Sequence, residues 1–148
     1  MSARNRLWMQ SVGITSVVTV ADGIEPVYPT TFAYMVIRLW DVPSANIYQH
    51  FPAALQFIRA AHDRGESVLV HWCVCSMRHR VSVPSARHSH SYSHQGISRS
   101  ASVVLAYLIA YHKMTLGDAF AHVRAARPVI CPNIGTRLPV ARQGAIEA

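Results

Sequence analysis

Five consecutive residues, Gly96-Ile97-Ser98-Arg99-Ser100, run directly into the apolar stretch Ala101 to Tyr111 and have the composition of a phosphate cradle. Where a helix begins, backbone N–H groups point outward without partners and attract an anion. Gly96 lets the main chain come close to the oxygens. The planar guanidinium of Arg99 can clamp two of them at once. Upstream, Ser67 to His71 reads as a short hydrophobic strand, and strand, loop, helix in that order places ligands at the C-terminal ends of strands.

Val68-Leu69-Val70-His71 and the later Gly96-Ile97-Ser98-Arg99-Ser100-Ala101-Ser102 resemble the two halves of the signature loop of the dual-specificity protein phosphatases, His-Cys-x-x-Gly-x-Ser-Arg-Ser. The resemblance runs from about Gly13 to Asn133. It implies an α/β fold: a central, mostly parallel sheet flanked by helices, with the phosphate-binding loop between a strand and a helix N-terminus. It also implies hydrolysis of phosphotyrosine and phosphoserine or phosphothreonine on protein partners through a cysteinyl-phosphate intermediate, with no metal and no organic cofactor. In such a loop a cysteine beside a helix N-terminus and an arginine ionises near neutral pH and attacks phosphorus.

Carried over position by position, the resemblance assigns Asp41 as the general acid that protonates the leaving alcohol, and Arg99 as the clamp on the equatorial oxygens. Ser100 becomes the donor that helps the thiolate leave. The phosphate-binding segment is His94, Gln95, Gly96, Ile97, Ser98 and Arg99, and His71 and Asn133 are supporting residues. The nucleophile is where this chain departs from the pattern. Six positions before Arg99 stands Ser93, and the residue after His71 is Trp72. A serine hydroxyl is too weak an acid to replace the thiol without a base beside it. The chain as written is therefore expected to be impaired, the alternative being a pseudophosphatase that binds phosphorylated partners without hydrolysing them.

Between His71 and Gly96 lie 24 residues where the family has three. The excess, assigned to an irregular insert over 72–93, is rich in Ser, Arg and His, lacks acids, and shows neither helical nor strand period. It has the form of translated intron. Trp72 is encoded only by TGG and Cys73 begins with T, so GT spans their boundary; Ser93 can supply AG. Excising one base of codon 72, codons 73 to 92 and two bases of codon 93 removes 63 bases, keeps the frame, and restores His-Cys-His-Gln-Gly-Ile-Ser-Arg-Ser. Two rivals are weaker. Cys73 or Cys75 could act as nucleophile only if the insert folded back into a loop of different length. Zinc could take ligands from His71, Cys73, Cys75, His79, His88, His90 and His94, yet Cys73-x-Cys75 is tighter than the usual spacing.

Other elements must hold this site. Gly13 to Ala21 is rich in β-branched residues and reads as a buried strand, and Phe32 to Trp40 as a second. Ile47 to His62 carries Phe51, Leu55 and Ile58 at helical spacing, with Pro52 in the first turn and Arg64-Gly65 at the end. Ser98 or Ser100 starts a helix expected to turn Val103, Val104, Tyr107, Leu108 and Tyr111 to the core. Thr115 and Asp118 have capping-box spacing ahead of a helix that Pro128 ends. Met1 to Val12 is too short for the strand and helix that usually precede these elements in the family, so the N-terminus reads as truncated. Gly135 to Ala148 is a weak helix candidate.

At 148 residues with 51% hydrophobic content, the chain is a single domain with one core, and disorder is excluded. No apolar run approaches the roughly 20 residues that span a bilayer. The expected location is the cytoplasm or the nucleus, with no membrane partner. The net charge of +7 comes from scattered arginines without a nucleic-acid reader motif, so we expect no nucleic-acid partner and a monomer that meets anionic phosphorylated surfaces.

Overall fold

Four runs of extended backbone pair in parallel to form the centre of the molecule. The computed structural model describes residues 3–39, 46–72, 89–93 and 98–132, with residues 72 and 89–93 described by their backbone alone. In chain order the elements are α1 (Arg6–Ser11), β1 (Ile14–Val20), β2 (Ala33–Ile37), α2 (Phe51–Asp63), β3 (Ser67–Trp72), β4 (Ser89–Ser93), α3 (Arg99–His112) and α4 (Leu116–Ala126). The sheet order is β2-β1-β3-β4. Val20 is paired with Ile37, Thr19 with His71 and Trp72 with Ser93, so the C-terminal ends of all four strands lie together.

Alternation along β1 and β3 splits the core. Val18, Val20, Val68 and Val70 join Phe51, Leu55, Ile58, Leu105 and Leu108 on one face, where α2, α3 and α4 pack. Val17 and Leu69 face the other way, against Met9 of α1, Ile14 and Phe32. β1 is buried at six of its seven positions, as a strand covered on both sides must be. Residues 1–12 hold a short helix whose first turn is capped by Asn5, its Oδ1 accepting from the Trp8 N–H at 3.0 Å.

The helices follow local signals. α2 has Pro52 in its first turn, where the missing N–H leaves no intrahelical bond unmade. It ends at Gly65, whose φ of +72° is the left-handed conformation that a glycine adopts without steric cost. Thr115 caps α4 through its Oγ1, which accepts from the Asp118 N–H at 3.1 Å and donates to the Asp118 carboxylate at 2.7 Å. α3 differs from expectation. Every residue from Arg99 to Ala110 is buried, because α2, α4 and the sheet enclose it on all sides, and no single stripe faces the core. Tyr111, expected inside, is 38% exposed, with the Arg59 guanidinium 5.2 Å over its ring.

The insert also contributes to the sheet. Trp72 extends β3, and Ser89–Ser93 pair with Val68 to Trp72 as the strand β4, although no hydrophobic alternation marked this segment. Ladder hydrogen bonds need only backbone donors and acceptors, and the β3 edge offers a row of them. The irregular reading of 72–93 thus gives way at its two ends to paired backbone. Residues 73–88, together with the C-terminal helix candidate 135–148, lie outside the described residues.

Candidate phosphate site

The β3 side of the site is built around His71. The residue is 5% exposed, and its Nε2 lies 3.0 Å from the Oγ1 of Thr19, its register partner on β1. Burial pushes the imidazole down to a pKa of about 4, so the ring is neutral at physiological pH. Its Nδ1 is buried and has no hydrogen-bond partner among the described residues. A neutral ring near the end of β3 is compatible with the supporting role expected of His71, since it brings no second cation to that end of the sheet.

On the α3 side, Ser98 is the N-cap, and Arg99 and Ser100 form the first helical turn. All three are buried, at 6%, 3% and 0% exposure. Ser102 bonds back to the Ser98 carbonyl through both its N–H and its hydroxyl, each at 2.9 Å, which fixes the turn. The Ser98 side chain makes no capping hydrogen bond, and no acidic residue stands in the first turn of α3. A helix N-terminus that carries an arginine in its first turn has a positive field suited to an anion.

The same arginine joins the two ends of the site. An Nη1 of Arg99 donates to the main-chain carbonyl of Leu39, 60 residues away and two residues before Asp41. The exit of β2 is thereby brought against the α3 N-terminus, so the loop expected to carry the general acid leaves the sheet beside Arg99. Asp41 itself, His94, Gln95, Gly96, Ile97 and Asn133 lie outside the described residues, and Ser93 is placed only by its backbone at the end of β4.

The structure therefore ties Arg99 to the approach to Asp41 and places His71 near the end of β3, a strand on which α3 packs. It adds Thr19, which the sequence reading passed over as one β-branched residue in an apolar strand. The available signal was its hydroxyl: a threonine among Val17, Val18 and Val20, in a strand buried on both faces, needs a polar partner. Among the described residues no group of three or more His, Cys, Asp or Glu side chains could hold a metal ion, and no helix is long and apolar enough to cross a membrane.

A four-stranded parallel sheet with helices packed on both faces defines an α/β domain. Residues 92–138 match the dual specificity phosphatase catalytic domain. The chain is 35% identical over 134 residues to dual specificity protein phosphatase 1 of Arabidopsis thaliana, covering 90% of this chain and 57% of that protein. It is 33% identical over 122 residues to mouse dual specificity protein phosphatase 19, covering 82% of this chain and 46% of that protein. Among solved structures, the human tyrosine phosphatase-like serine/threonine/tyrosine-interacting protein matches with a TM-score of 0.76 and 30% identity, covering 96% of this chain and 83% of that one. Human DUSP28 matches with a TM-score of 0.79 and 25% identity, covering 99% and 90%. The chain belongs to the dual specificity phosphatase family, and it spans about half the length of the two curated relatives named here.

Proposed function

We propose that this domain recognises phosphorylated side chains of proteins at the α3 N-terminus and that, with the signature loop joined, it hydrolyses phosphotyrosine, phosphoserine and phosphothreonine esters through a cysteinyl-phosphate. One observation carries the proposal. The buried Ser98-Arg99-Ser100 turn faces the C-terminal ends of parallel strands and is tied by Arg99 to the approach to Asp41. In the joined form the cysteine thiolate attacks phosphorus, the ester oxygen leaves with the proton of Asp41, and water then cleaves the phosphorus–sulfur bond. Arg99 and the loop amides hold the equatorial oxygens throughout. In the chain as written the thiolate is absent from that register, and the expected activity is binding without turnover.

Sequencing the transcript across the codons of His71 and Gly96 tests the joined form. A product 63 bases shorter, encoding His-Cys-His-Gln-Gly, supports hydrolysis; a full-length product alone removes it. Recognition without hydrolysis is the second role, favoured by the 30% identity to a neighbour named as phosphatase-like and interacting. It requires saturable phosphopeptide binding by the full chain that Arg99→Ala abolishes, and undiminished binding by that variant excludes it.

A further inference from the structure

We infer that Thr19 is a positioning residue: its hydroxyl donates to Nε2 of His71 and holds the ring as the Nδ1–H tautomer, with that N–H reserved as a donor at the base of the signature loop. The inference rests on the proposed phosphate site only for the use of the donor, not for its existence.

Thr19 and His71 face each other across the β1–β3 ladder, with Oγ1 and Nε2 3.0 Å apart and both residues buried. A neutral imidazole has one N–H and one lone pair, and a hydroxyl can donate or accept. The hydrogen bond therefore runs in one of two directions. If Nε2–H donates to Oγ1, the threonine proton is left to find another acceptor, and Nδ1 is left as a buried acceptor without a donor. If Oγ1–H donates to Nε2, only one donor is left over, the Nδ1–H. The second arrangement leaves fewer buried polar groups unsatisfied, and such groups are costly. It also uses the better acceptor, the imidazole lone pair.

The remaining N–H is distinctive for its place. Nδ1 of His71 is buried and has no partner among the described residues, one residue before the end of β3 and at the sheet end where α3 begins. An imidazole free in water favours the Nε2–H form, so the threonine must supply the bias. Thr19→Val keeps the shape and removes the hydroxyl; Thr19→Ser keeps the hydroxyl.

The test is the nitrogen-15 spectrum of the histidine rings in the full-length labelled chain near pH 7.5, with the His71 signals identified by their loss in His71→Gln. The expected result is a protonated Nδ1 and a bare Nε2 in the native chain and in Thr19→Ser, and loss of that signature in Thr19→Val. A protonated Nε2 in the native chain overturns the inference, even if Thr19→Val does not fold. An unchanged tautomer in a folded Thr19→Val overturns it as well. Titration with tungstate, an oxyanion, separates this inference from the proposed site. The expected tautomer in a chain that does not bind tungstate leaves Thr19 in its role and removes the phosphate reading.

Discussion

His71 and Arg99 stand at the two ends of the interrupted loop and are almost equally buried, at 5% and 3% exposure, yet each is stabilised differently. His71 is accommodated by becoming neutral: burial takes its pKa to about 4, and one hydroxyl satisfies Nε2. Arg99 is accommodated through hydrogen bonding to oxygen, the main-chain carbonyl of Leu39 among its partners. The strand end of the loop is thus a part of the apolar core that carries one polar ring, and the helix end is a cationic site inserted into that core. On the proposed reading the helix end acts on a phosphoester only when a nucleophile is delivered beside it.

The contrast is tested most strongly by joining the two ends. Trp72→Cys combined with removal of residues 73–93 should raise phosphatase activity toward an aryl phosphate by more than ~10³-fold over the full chain, since the covalent pathway exists only there. Equal rates would mean that the helix end is not a phosphate site. In that joined form, Arg99→Ala should lower kcat/KM by about 10³-fold, as expected for loss of a preorganised donor to the transition state. A change below tenfold would move the clamp to another residue.

Smaller effects test the strand end. Leu69→Ala, in the core beneath α1 and wholly buried, should lower the unfolding free energy by roughly 2–5 kcal/mol in denaturant titration, and should do so in the full and joined chains alike. The histidine sets a pH dependence. With an unfolded value of 6.5 and a folded value of about 4, its contribution is complete above pH 6.5 and is lost as the pH falls to about 4, because the unfolded chain binds the proton first. Linkage puts the loss at about 3 kcal/mol, and His71→Gln should flatten that part of the stability profile. Away from the site, Thr115→Ala should remove about 1 kcal/mol through the lost cap of α4, without affecting phosphate binding.

Much of this was legible in the residues because the signals were local. Pro52 and Gly65 bound α2, Thr115 caps α4, and the β-branched run from Ile14 to Val20 forms a strand, each through φ restriction, capping or side-chain branching within a few positions. The family was legible for the same reason, since the resemblance rests on a glycine, serines and an arginine at fixed spacing. β4 was not, because a ladder of backbone hydrogen bonds places no demand on side-chain type. Tyr111 was misplaced because helical period identifies a stripe, whereas α3 is enclosed on every side and the end of that enclosure depends on neighbouring elements.

The sequence by itself determined the family, the parallel α/β class and the absence of a cysteine in register with Arg99, since each is written in residue identity and spacing. Only the tertiary structure decided that Thr19 meets His71 across 52 positions and that Arg99 reaches Leu39 across 60. Strand register and helix placement create those contacts, and they are set by the packing of two apolar cores on either side of one sheet.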